Sequence, residues 1–211
     1  MASRRLSLQV AGAVNACGVR ALGIYAATIT PAATEVGTGL ATQRPWLALE
    51  AFVLVASFGI GAFIAATLQL RASQRAFLAW PLLAEAAALV LFVALWPKHG
   101  ASYLLTCAMG IQNASLTQVH GRRIRTTHVT SVWTDAGHDL AIAALAWRSG
   151  RVRLLARVLR RLAPRILLVV AFLIGAIAAF WAYSLVGTET LLLAAGATLG
   201  IAARDFKVAA P

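Results

Sequence analysis

Apolar runs of about 20 residues recur about six times along this chain, which is the length a helix needs to cross the hydrocarbon of a bilayer. The runs cover residues 6–30, 46–70, 77–96, 101–119, 164–186 and 190–203. The first is the least apolar and contains Arg20, the last is short, and the fifth opens with Pro164, a residue suited to a first helical turn. Charged residues make up 12% of the 211 positions, where a soluble domain carries about 25%. The expected fold is therefore all-α: a polytopic membrane bundle of about six transmembrane helices.

The basic residues orient that bundle. With the N-terminus in the cytoplasm, Arg4, Arg5, Arg71, Arg75, Arg122, Arg123, Arg125, the arginines of residues 148–165, Arg204 and Lys207 all lie inside. Arg44, Lys98, Glu35 and Glu189 then lie outside and nearly cancel. The expected location is a bacterial inner (cytoplasmic) membrane, with both termini cytoplasmic. The net charge of +12 is dispersed between apolar runs, a pattern that suits anionic lipid headgroups and argues against nucleic acid as a partner.

More than forty residues separate the fourth and fifth runs, too many for a structureless loop. In its second half, Leu155, Val158, Leu159 and Leu162 form an apolar stripe among Arg153, Arg157, Arg160 and Arg161. The stripe reads either as a basic amphipathic helix in the cytoplasmic interface or as arginines that only set topology. Residues 120–148 could be re-entrant or cytoplasmic.

Ser3-Arg4-Arg5-Leu6 and Val14-Asn15-Ala16-Cys17 faintly resemble export and lipoprotein signals. Asn15 interrupts the apolar region, and the segment has a counterpart later in the chain, so it is expected to be retained as the first helix. Cys17 and Cys107 lie in apolar runs without C-x-x-C or Cys/His neighbours, which supports neither a disulfide framework nor a metal site, and no cofactor is implied.

The two halves match. Gly12-Ala-Val-Asn15-Ala16 corresponds to Gly110-Ile-Gln-Asn113-Ala114, Thr28-Ile-Thr30 to His128-Val-Thr130, and Phe58-Gly-Ile-Gly61-Ala62 to Phe172-Leu-Ile-Gly175-Ala176. The order is the same in both halves. Three spans per half make the second copy enter from the opposite side, so the expected arrangement is a 3+3 inverted repeat. Residues 1–98 form the first repeat and 99–211 the second, which includes a cytoplasmic basic segment over 120–163. Secondary transporters use such symmetry and bind near the midplane between repeats.

Met109-Gly-Ile-Gln-Asn113-Ala114, followed by Arg125-Thr-Thr-His-Val-Thr130, resembles the YoaK family, also called domain-of-unknown-function family 1275 (DUF1275), over almost the whole chain. The resemblance implies a bacterial membrane protein with no established biochemical activity. The family's first copy usually has Asp where Asn15 stands, and its Thr-Gly signatures appear here as Thr30-Pro31-Ala32 and Thr130-Ser131-Val132. Those departures imply a stiffer break after each threonine and remove an acid from the first span.

Polar groups at membrane depth are costly, which makes them candidates for function. Asn15, Gln112 and Asn113, with Thr30 and Thr130, are candidate substrate-binding residues; the amides could equally serve as hydrogen-bonded glue between helices. Glu85, in the third span, is a candidate coupling residue that could accept and release a proton, or else a fixed partner of Arg20. Asp135, His138 and Asp139 share a helix face as a candidate gating cluster, or as the polar side of a wet, N-capped cytoplasmic helix. Gly196-Ala-Thr-Leu-Gly200 permits close packing, within the fold or between two copies as a homodimer.

The function these features imply is a small secondary transporter or permease for a small polar or ionic solute. A structural or regulatory membrane scaffold is the alternative. A membrane enzyme is disfavoured, because H-E-x-x-H, G-x-S-x-G, P-loop and C-x-x-C patterns do not occur.

Overall fold

The computed structural model of the chain describes residues 2–72, 77–98, 100–115, 117–119, 122–124 and 129–209. It is helical throughout, apart from one small ribbon. The helices are α1 (Ala2–Leu22), α2 (Thr30–Ala41), α3 (Pro45–Arg71), α4 (Ala79–Leu95), α5 (Ala101–Ala114), α6 (Val129–Arg148), α7 (Val152–Val186) and α8 (Thr190–Ala209). Strands β1 (Thr117–Val119) and β2 (Arg122–Ile124) pair antiparallel between α5 and α6. Pro31 and Pro45 stand in the first turns of α2 and α3, where a missing N–H breaks no helical bond.

Helices distant in sequence pack together. The main pairs are α1 with α7, α3 with α5, and α4 with α8, while α2 folds back on α3 and α6 on α7. Glycines set the closest crossings. A Cβ on Gly12 would overlap the Phe172 carbonyl oxygen, and one on Gly175 that of Gln9. A Cβ on Gly110 would overlap the Phe58 carbonyl oxygen, and one on Gly61 that of Cys107. Only hydrogen fits there, so the backbones meet directly. Gln9 lies by Gly175, and Arg20 lies by Phe180 and Ser184, so α1 and α7 run parallel.

Two helical stretches, Pro45–Arg71 and Val152–Phe206, are long and apolar enough to cross a membrane, and the apolar helices Leu6–Leu22 and Ala79–Leu95 are shorter. Only 22% of the apolar window in each long stretch is buried, whereas the core helix of a soluble protein would be mostly covered. Phe63 is 72% exposed and Trp181 68%. This outward apolar surface is compatible with a membrane protein.

Several expected boundaries move. The first run does not continue to residue 30, because Gly23, at φ +69°, turns the chain out of α1 and α2 starts afresh at Thr30. The fourth ends at Ala114 rather than 119. The fifth does not open at Pro164: α7 runs unbroken from Val152, with Pro164 inside it. An interior proline costs about 3 kcal/mol in an isolated helix, and here α6 braces this stretch, gripping Arg161 and Arg165 on either side of the proline. The apolar stripe of the basic segment faces α6, with Val158 and Leu162 buried and Leu159 exposed. The outer face of α8 leaves open space at Gly196 and Gly200, so neither glycine makes a close crossing within the fold.

Candidate functional site

The site is built where α1 stops. After Gly23 the backbone doubles back, with Ile24 N–H donating to the Gly18 carbonyl at 3.4 Å and Thr28 N–H to that of Tyr25 at 3.1 Å. This returns Ala27 to the level of Asn15. Asn15 Oδ1 accepts the Ala27 N–H at 3.0 Å, and Asn113 Nδ2, from α5, donates to the Ala27 carbonyl at 3.2 Å. Ala27 is buried, so these amides supply the partners that a helix would otherwise provide. Both asparagines thus bond the backbone of one residue in a non-helical stretch.

Beside this break lies a cavity of about 150 Å³. Tyr25, Thr28 and Ile29 of the break line it, with Glu35 of α2, Phe58 of α3 and Thr106 of α5. Glu35 is its only charged lining residue among the described residues.

The remaining candidates lie apart. Gln112 is buried; its Nε2 donates to the Ser7 carbonyl at 3.2 Å, and its Oε1 has no hydrogen-bond partner. Thr30 and Thr130 are exposed at the first turns of α2 and α6, where their carbonyls accept the hydroxyls of Thr34 and Thr134. His128, matched to Thr28 by sequence, lies outside the described residues, as do Arg125 and Arg75.

Glu85 is fully buried on α4, which packs between α5 and α8, and neither carboxyl oxygen has a hydrogen-bond partner. It does not pair with Arg20. That guanidinium sits 4.6 Å from the centre of the Phe180 ring and 3.5 Å from Ser184 Oγ, on the α7 side, and forms no ion pair among the described residues.

The Asp135–His138–Asp139 face divides. Asp139 is buried and bonded to Arg165, with Arg161 Nη2 3.5 Å away. Asp135 meets Arg165 Nη2 at 3.1 Å, and its carbonyl accepts Arg165 Nη1 at 3.3 Å. His138 is exposed and outside this network. The three residues therefore form no single cluster: on a helix whose outer face is exposed, two carboxylates clamp α6 onto α7. Among the described residues no group of three or more metal-ligating side chains comes together.

Glu35 was missed by sequence reasoning, although a signal was present. Thr30-x-x-x-Thr34-Glu35-x-Gly37 recurs as Thr130-x-x-x-Thr134-Asp135-x-Gly137, with the same threonine hydroxyl bond in each helix. The intervening residues, Pro-Ala-Ala against Ser-Val-Trp, hide the match.

Comparison with protein families matches residues 6–204 to DUF1275, a family described as proteins of unknown function. The match spans nearly the whole chain, and the chain belongs to that family. No curated protein and no solved structure matches it.

Proposed function

We propose that this member of DUF1275 is a small secondary transporter of the cytoplasmic membrane, built as two inverted three-span repeats (residues 1–98 and 99–211) with both termini inside. The observation that carries the reading is the broken backbone at Ala27, held between Asn15 and Asn113 beside a cavity. Irregular backbone at membrane depth is tolerated where it lines a cavity or is enclosed by protein, and transporters place their sites at such breaks.

Paired contacts support the repeat. The α1–α7 crossing uses Gly12 on Phe172 and Gly175 on Gln9, while the α5–α3 crossing uses Gly110 on Phe58 and Gly61 on Cys107. These are the same positions of the two sequence halves. The α2–α3 and α6–α7 hairpins are likewise counterparts, and α4 crosses α8.

In this reading Asn15 and Asn113 fix the break, and Glu85 carries the coupling proton. Asp135 and Asp139 latch the cytoplasmic side through Arg165 and Arg161, and the exposed arginines of α7 meet anionic lipid. No catalysis is assigned. A scaffold is the second reading, favoured by the close-packed Gly12 and Gly110 crossings, but it leaves the cavity unexplained. The test is solute flux into proteoliposomes across cationic, neutral and anionic panels; equal flux in protein-containing and empty vesicles for every solute sinks the proposal.

A further inference from the structure

We infer that the cavity beside α2 takes a small organic cation bearing a guanidinium or ammonium group, with the Glu35 carboxylate as its counter-ion. The inference rests on the transport reading above and names the substrate class of that same site.

The threonine motif occurs once in each half, at Thr30–Gly37 and Thr130–Gly137. In α6 the motif's acid, Asp135, is answered by a guanidinium of the chain itself, Arg165 of α7. Arg165 stands ten residues before Gly175. The residue ten before Gly61, its counterpart in α3, is Ala51, which is buried and uncharged. Glu35 therefore has the acid's position without the cation's. Among the described residues it forms no ion pair, and the cavity it lines contains no Arg, Lys or His.

The remaining lining fits a cation. Tyr25, Thr28 and Thr106 bring hydroxyl oxygens, and Phe58 and Tyr25 bring rings whose faces attract positive charge. A dry cavity of this volume, about 150 Å³, can take benzene, so a guanidinium of four heavy atoms has room. The first turn of α2 opposes this, because a helix N-terminus carries about half a positive charge. Pro31 removes one of its N–H donors, and a full carboxylate outweighs the remainder.

Guanidinium, urea and nitrate are planar, similar in size and differ in charge, so they isolate the sign. Thermal unfolding of the full-length protein in detergent is measured with each at low millimolar concentration, at matched ionic strength in sodium and potassium buffers. Guanidinium should give a saturating rise in Tm that urea and nitrate do not. Glu35→Gln should abolish it, Glu35→Asp should weaken it, and Glu50→Gln, at an acid exposed like Glu35 but not lining this cavity, should leave it intact. An equal response to urea or nitrate, a response retained in Glu35→Gln, protection by sodium alone, or no response to guanidinium would each overturn the inference. Guanidinium binding without any solute flux would keep the cation site and remove transport. Flux of a neutral or anionic solute without guanidinium binding would do the reverse.

Discussion

Asn15 and Asn113, from different halves of the chain, hold the two backbone groups of a single residue: one accepts the Ala27 N–H and the other donates to the Ala27 carbonyl. The polarity of the two bonds is opposite, so the same substitution has different consequences at the two sites. Asn15→Asp keeps the acceptor and should change the unfolding temperature little. Asn113→Asp turns a donor into an acceptor facing a carbonyl, and should destabilise by about 1–3 kcal/mol, the cost of an unsatisfied buried group. Thermal unfolding of the two variants side by side checks this, and equal losses would contradict the assigned bonds.

Gly12→Ala and Gly110→Ala should each cost at least the 1–3 kcal/mol typical of overpacking, because in both the obstacle is a backbone carbonyl that cannot rotate away. If the two halves are equivalent, the losses should be similar. Gly196→Ala and Gly200→Ala meet open space and should be silent. Detergent unfolding curves of the four variants provide the comparison.

Removing one side of the clamp should be graded by burial. Asp139→Asn strips a buried carboxylate from Arg165 and Arg161 and should cost about 3 kcal/mol, the low end of the range for buried pairs because Arg165 keeps Asp135. Asp135→Asn, at an exposed position, should cost below about 1 kcal/mol. Limited proteolysis in the Ser149–Gly150 turn between α6 and α7 should accelerate in the first variant only.

Glu85 makes no hydrogen bond that a hydrophobic replacement would lose. Glu85→Leu should therefore leave the unfolding temperature unchanged or raise it. Glu85→Gln, if the carboxyl carries the coupling proton, should abolish accumulation against a gradient while sparing downhill exchange. A large stability loss in Glu85→Leu would mean that the group has a partner.

Much of the helical plan can be read from hydropathy, because α3 and the part of α7 after Arg165 are apolar on nearly every side. The break at Ala27 cannot. Ile24, Ala26 and Ala27 continue the apolar run without interruption, and only Gly23, one of 16 glycines, marks the turn. The continuity of α7 through Pro164 was hidden for the opposite reason, since the local signal says stop and the brace comes from α6. At the site, the asparagines stood out as polar residues in apolar spans, whereas Glu35 read as an ordinary loop charge. Its significance appears only when the Thr-x-x-x-Thr motif of the second half is set beside it and Arg165 is found to have no equivalent.

The central claim is that the cavity beside Ala27 belongs to a transport path, and charge movement tests it most directly. Reconstituted protein on a solid-supported membrane is given concentration jumps of guanidinium, methylammonium, urea and nitrate. The account predicts saturable transient currents for the two cations, reduced at least tenfold by Glu35→Gln and absent from protein-free membranes. Currents from no solute, together with isotope uptake indistinguishable from empty vesicles, would contradict it.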